Sequence, residues 1–134
     1  MMLILLILHC GSKMAIELKI GIIGQSEGNG HPYSWSAIFN GYNKVLMEDC
    51  GFPVIPRYLE KQKFPEIRIS KGKVTHIWTQ DYLLSKKVAE ATYIENIVKD
   101  LTELIGNVDA ILLARDDAEK HFCIAKHFLD AGIP

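Results

Sequence analysis

Between Lys19 and Trp35 the chain reads KIGIIGQSEGNGHPYSW, with four glycines, a serine and a histidine between an apolar run and the start of a helix. Glycines let a backbone turn tightly and approach a ligand closely. A helix that begins at Pro32 would turn unpaired N–H groups and a partial positive charge toward this loop, which suits a phosphate. Gly24, Ser26, Gly28 and Gly30 are therefore candidates to cradle a pyrophosphate, with the Ser26 hydroxyl as an added donor. The spacing is irregular. A G-x-G-x-x-G pattern from Gly24 would need glycine where Ser26 and Asn29 stand, and the glycines come at Gly28 and Gly30 instead. Glu27 would be mildly unfavourable beside a phosphate and is expected to point away. His31 could meet a phosphate or a nicotinamide ring, or could serve the helix start. Tyr33 and Trp35 read as helix–sheet packing.

A second candidate is Asp81, which ends the run KVTHIWTQD. A carboxylate at the end of the second strand of a dinucleotide fold can bind the adenosine ribose. It also repels a 2′-phosphate, so NAD is favoured over NADP. Aspartate is equally a helix cap, and both roles stay open at this point. Asp81 lies well beyond the usual ~20 residues from the glycines, an excess that the proline-rich stretch between them accounts for. His121, Cys123 and His127 share a helical stretch, but Phe122 and Phe128 beside them speak for packing. A metal site needs three or four converging ligands, so no metal is expected.

These residues need a scaffold to position them. Leu18 to Ile23 reads as a strand with both faces apolar, as inside a parallel sheet. Trp35, Ala37, Ile38, Phe39 and Tyr42 give the next segment a broad apolar helical side. Asn43 to Lys73 contains Pro53, Pro56 and Pro65, which rules out one long helix. It reads as an irregular insertion with one short helix near Arg57–Lys63. Its seven Lys/Arg against four Asp/Glu fit a solvated loop or a lid near a phosphate. Lys73 to Asp81 is rich in β-branched and aromatic residues and predicts a strand. Leu83 to Ala91 predicts a helix and Ile97-Val98 a short strand. Asp100 with Glu103 forms a capping-box pattern, and Gly106 closes that short helix. Val108 to Ala114 predicts a buried strand. Glu119 to Ala131 predicts a helix with Phe122, Ala125, Phe128 and Leu129 inward.

Alternation of strands and helices predicts an α/β fold: a Rossmann-like parallel sheet with helices on both faces, incomplete at its C-terminal end. Residues 15–134 read as one dinucleotide-binding domain with the insertion at about 43–73. Residues 1–14 read as an apolar extension, MMLILLILHC followed by GSKM, too short to span a bilayer and poor as a signal peptide. A start at Met14 is the favoured explanation. The formal net charge of −1 offers no nucleic-acid surface. Three cysteines without regular spacing predict reduced thiols and a cytoplasmic setting, with no membrane partner.

The stretches VTHIWTQD, NVDAILLARDDAEKH and CIAKHFLDAGIP, with KIGIIG as first strand, resemble the glucose-fructose oxidoreductase / inositol dehydrogenase / MocA family. Asp109 to Ala114, His121 and Leu129 to Gly132 take the places of that family's fourth strand, histidine and apolar helix end. The resemblance implies an NAD-binding domain of an oxidoreductase that moves a hydride between a sugar-like or polyol hydroxyl and nicotinamide. It also carries Ala114, Arg115 and Asp116 over as cofactor-lining candidates, with Arg115-Asp116 standing where the family has Thr-Pro or Asn-Pro. The family's Glu-Lys-Pro motif would fall past Pro134, so no catalytic residue is expected within this chain. The rival expectation is a stand-alone nucleotide-binding or regulatory module without catalysis. An open sheet edge predicts self-association.

Overall fold

In the computed structural model, which describes residues 16–134, β1 (Leu18–Ile23) lies inside a four-stranded parallel sheet. The expectations for residues 1–14 fall outside the described residues. After β1 come α1 (His31–Asn40), α2 (Lys44–Glu48), α3 (Val54–Glu60) and β2 (Gly72–Trp78). Then follow α4 (Tyr82–Thr92), β3 (Asn96–Ile97), a 3-10 turn (Leu101–Leu104), β4 (Ala110–Leu113) and α5 (Ala118–Asp130). The strand order is β3-β2-β1-β4, and every pairing is parallel. The chain winds outward from β1 to β3, then crosses back to place β4 on the other side of β1. The C-terminal ends of β1 and β4 therefore flank a topological switch point.

Burial explains the two layers. Ile20 and Ile22 of β1 join Val74 and Ile77 of β2 against Tyr33 and Ala37 of α1 and Val88 and Ala91 of α4. Ile23 joins Leu104, Val108 and Phe128 of α5 on the opposite face. The predicted α/β sheet with helices on both faces is what the chain forms. Val74 and Ile77 are three apart yet share a face, because the register slips between Ile20 and Gly21 and leaves Thr75 as an extra residue. Asn40 clamps this layer. Its Nδ2 donates to the carbonyls of Val74 and Thr92 at 2.8 and 3.0 Å, and its Oδ1 accepts from Val74 N at 2.9 Å.

Two expectations on the elements change. The insertion holds two short helices, not one. Asn43 caps α2 by accepting from Leu46 N at 3.1 Å, and Pro56 sits in the first turn of α3, where proline is tolerated. Met47 and Leu59 are fully buried, so this segment is packed onto α4 and α1 rather than solvated throughout. On α5, Phe122 and Leu129 point outward, at 74% and 65% exposure, while Ile124 and Phe128 meet the sheet. Both stripes are apolar at helical spacing, and only the position of the sheet chooses between them. The predicted capping box is present at the 3-10 turn, with Glu103 accepting from Asp100 N at 2.7 Å.

Candidate functional site

The ends of β1, β2 and β4 converge at the switch point through residues just past each strand. Gln25 N donates to Gln80 Oε1 at 3.0 Å, and Gln80 Nε2 donates back to the Gln25 carbonyl at 2.5 Å. Arg115 sits under this pair. Its Nη1 donates to the same two oxygens at 3.3 and 3.1 Å, and its Nε donates to Asp117 Oδ1 at 2.8 Å. Asp117 also lies 3.3 Å from Lys120 Nζ. The hydrogen-bonded Arg115 holds the Asp117 carboxyl well below the usual carboxylate range, and Asp117 in turn raises Arg115. His121 Nε2 meets the Arg115 carbonyl at 2.9 Å. Arg115, expected beside a cofactor, is thus a buried tie between three strand ends and the start of α5.

The glycine loop is organised around Ser26 and Asp116. The Ser26 hydroxyl donates to the Asp116 carboxylate, and Asp116 N donates back to Ser26 Oγ at 3.1 Å. Asn29 N donates to the Ser26 carbonyl at 3.2 Å, closing a turn whose third residue, Gly28, has φ of 74°. Gly24 and Gly30 answer to crowding instead. A Cβ on Gly24 would stand 2.4 Å from Pro32, and one on Gly30 would stand 2.5 Å from Ile55 and 2.8 Å from Phe52. Three of the four candidate cradle positions therefore have an internal reason to be glycine.

The N-terminus of α1 is closed to a phosphate. Asn29 Oδ1 accepts from His31 N at 2.8 Å, Pro32 has no N–H, and Tyr33 and Ser34 both donate to the Gly30 carbonyl. The donors left for an anion are in the loop itself. Among the described residues, the amides of Ser26, Glu27, Gly28 and Gly30 find no partner. Tyr33 is no acid–base candidate, since burial pushes its phenol up to about 12.

Two clefts open on either side of the Ser26–Asp116 tie, and Asp116 lines both. On the α5 side a cleft of about 630 Å³ is walled by Gln25, Ser26, Trp78, Gln80 and Arg115. On the α3 side a cleft of about 520 Å³ is walled by Asn29, His31, Trp35, Phe52, Ile55 and Tyr58. His31 stacks on Trp35, with ring centroids 4.8 Å apart and planes at 22°. Each cleft has one buried side-chain atom without a partner: Gln25 Oε1 on the first, Asn29 Nδ2 on the second.

The structure brings Ser26, Arg115 and Asp116 to one cleft and Gly28, Gly30, His31 and Asp116 to the other. Gly24 packs beneath the loop. Ala114 is fully buried, and its N–H donates to the Ile23 carbonyl at 2.7 Å, closing the β1–β4 pairing. Asp81 stands apart: its Oδ1 accepts from Leu83 N at 2.8 Å and caps α4, and it lines neither cleft. Sequence reading missed Gln25, Asn29, Gln80 and Asp117. The glutamines carried one usable signal, since each lies at or just past the C-terminal end of a predicted strand. Among the described residues, no three His, Cys, Asp or Glu side chains could hold a metal ion. Cys123 is exposed, with its Sγ 3.1 Å from the Lys120 carbonyl. Among the described residues no helix is long and apolar enough to cross a membrane.

A parallel sheet of order β3-β2-β1-β4, with its cleft at the switch point, defines an α/β protein of the Rossmann-like class. Among solved structures, scyllo-inositol dehydrogenase from Lactobacillus casei is similar to it, with a TM-score of 0.53 at 13% identity. The match covers 89% of this chain and 27% of that one, so the chain spans about a quarter of that enzyme's length. The likeness is one of fold. No known family profile matches the sequence, and no curated protein does.

A nicotinamide dinucleotide can be tested against this donor set. The unpaired loop amides suit phosphate oxygens. Gln25 Oε1 offers an acceptor to an amine or hydroxyl, and Trp78 offers a flat wall. Asp116 opposes a phosphate at the tie, and Glu27 and Glu119 line the α5-side cleft as well, so the phosphates belong on the loop amides and not in that cleft. The residues fit the group in the α5-side cleft and along the loop, and not at the end of α1.

Proposed function

We propose that the chain is the nucleotide-binding domain of an oxidoreductase, holding NAD at the C-terminal edge of its sheet. The observation that supports this best is the row of unpaired amides from Ser26 to Gly28 beside a switch-point cleft with a partnerless acceptor, Gln25 Oε1. Adenosine would lie in the α5-side cleft, with its pyrophosphate on the loop amides; the Ser26 hydroxyl, whose one proton goes to Asp116, would turn from that tie to join them. Asp81 is outside that cleft but next in the chain to Gln80 of its wall, and its oxygen that does not cap α4 would take the ribose hydroxyls where they leave the cleft. A bound nicotinamide supplies the hydride chemistry, and the chain's own part is to orient it. Action on a sugar-like or polyol hydroxyl rests on the sequence resemblance and on the inositol dehydrogenase being similar in fold.

Titration calorimetry with NAD, NADP and ADP-ribose tests the reading. NAD should bind more tightly than NADP. Asp81→Asn keeps a capping oxygen, since Asn and Asp cap equally well. It should weaken NAD about fivefold and narrow the preference over NADP, by the loss of one charge-assisted hydrogen bond. Unchanged NAD affinity would remove the ribose role from Asp81, and no nucleotide binding at all would remove the reading.

A further inference from the structure

We propose that the α3-side cleft is a binding site for an uncharged aromatic carbonyl compound, separate from any nucleotide on the α5 side. Its walls are those of a ring site. Trp35 is held flat by His31, and Phe52, Ile55 and Tyr58 reach in from the insertion. Its volume of about 520 Å³ lies within the range of small-molecule sites. Val54 and Tyr58 stand 71% and 50% exposed at the rim, apolar surface that a ring would cover.

The polar chemistry narrows the ligand. Asn29 is 4% exposed, and its Nδ2 is a buried donor with no partner. Its Oδ1 is already committed to His31 N. One free donor calls for one acceptor, such as a carbonyl oxygen. A polyol would bring several hydroxyls against mostly apolar walls, and a hydroxyl desolvated without a partner is unfavourable. An anion would face Asp116 on the shared wall. The site is also built into the packing. Phe52 and Ile55 press so closely on Gly30 that no side chain fits between them and the loop.

Amide chemical shifts of the 15N-labelled full chain, titrated with benzamide, benzoate and myo-inositol, test this directly. Benzamide should shift the amides of residues 29–35 and 52–58 saturably, benzoate should bind at least tenfold more weakly, and myo-inositol should leave them unmoved. Asn29→Asp retains an oxygen to accept from His31 N and replaces the free donor with a charged acceptor. It should weaken benzamide at least tenfold while the α1 amides keep their native dispersion. Tyr58→Ala removes an exposed wall and should weaken benzamide severalfold in a folded protein. No saturable shift, an Asn29→Asp variant that binds as tightly, or myo-inositol that binds as well as benzamide would each overturn the proposal. Benzamide shifts that saturating NAD abolishes would assign the cleft to the dinucleotide's nicotinamide end and would also overturn it, while a failure of NAD to bind leaves the benzamide result readable.

Discussion

On the α5 side of the Ser26–Asp116 tie, polar groups hold one another in place: Arg115 to Asp117, Gln25 to Gln80, His121 to the Arg115 carbonyl. On the α3 side, rings and branched side chains do the holding, and Ile55 and Phe52 lean on the bare backbone of Gly30. The first arrangement depends on charge and proton occupancy. The second depends on volume. Two clefts that share Asp116 should therefore answer to different perturbations, and that difference is open to direct attack.

The largest effect should come from volume. Gly30→Ala places a methyl group within 3 Å of Ile55 and Phe52. Overpacking of this kind costs about 2 kcal/mol, read as a lower urea midpoint at constant slope. Benzamide binding should be lost and NAD binding by the folded protein kept. A variant as stable as the parent would show that α3 does not press on the loop.

Charge should act on the other side. Asp117 is held below its ordinary range in the folded chain, so it contributes stability that is present above the unfolded value and lost as pH falls through the acid range. Thermal melts of the parent should drop steeply below pH ~4, the ordinary aspartate range. Asp117→Asn should be less stable at neutral pH and flatter in that acid window. Equal acid slopes would mean that the Arg115 tie carries no net stability.

A smaller effect belongs to the shared wall. Asp116→Asn removes a carboxylate that opposes a phosphate and should tighten NAD about fivefold, near the ~1 kcal/mol of two charges 4 Å apart in water. Benzamide, being neutral, should bind the variant unchanged. Weaker NAD binding would instead make Asp116 a positive contact.

The weakest effect is at the sheet edge. Ile111 N donates to the Pro134 carbonyl at 2.8 Å, which covers part of β4's outer edge, while Phe122 and Leu129 stand exposed on α5. We expect slight self-association in light scattering at high concentration. A clean monomer would count against an open edge as an interface.

Much of this fold was legible because its signals are local. The apolar run of β1, the β-branched run of β2 and the Asp100–Glu103 capping box each act within a few residues. The inward face of α5 was legible only in part: Phe128 is buried as the sequence predicts, while Phe122 and Leu129 are exposed and Ile124 takes their place against the sheet. At the candidate site the glycines drew attention to the loop that lies between the two clefts. Their place between a strand and a helix start suggested a phosphate cradle, whereas Gly24 and Gly30 answer to Pro32, Ile55 and Phe52.

The sequence by itself determined which segments outside the insertion are strands and helices, where the 3-10 turn is capped, and that the sheet is parallel, because crossover helices separate its strands. Tertiary structure alone decided what the strand ends do. Gln25 meets Gln80 across 55 residues, and Ser26 meets Asp116 across 90. Parallel strands bring together residues that long connections keep apart in the chain. No local periodicity can therefore announce the partner of Arg115, nor leave Asn29 its one free donor.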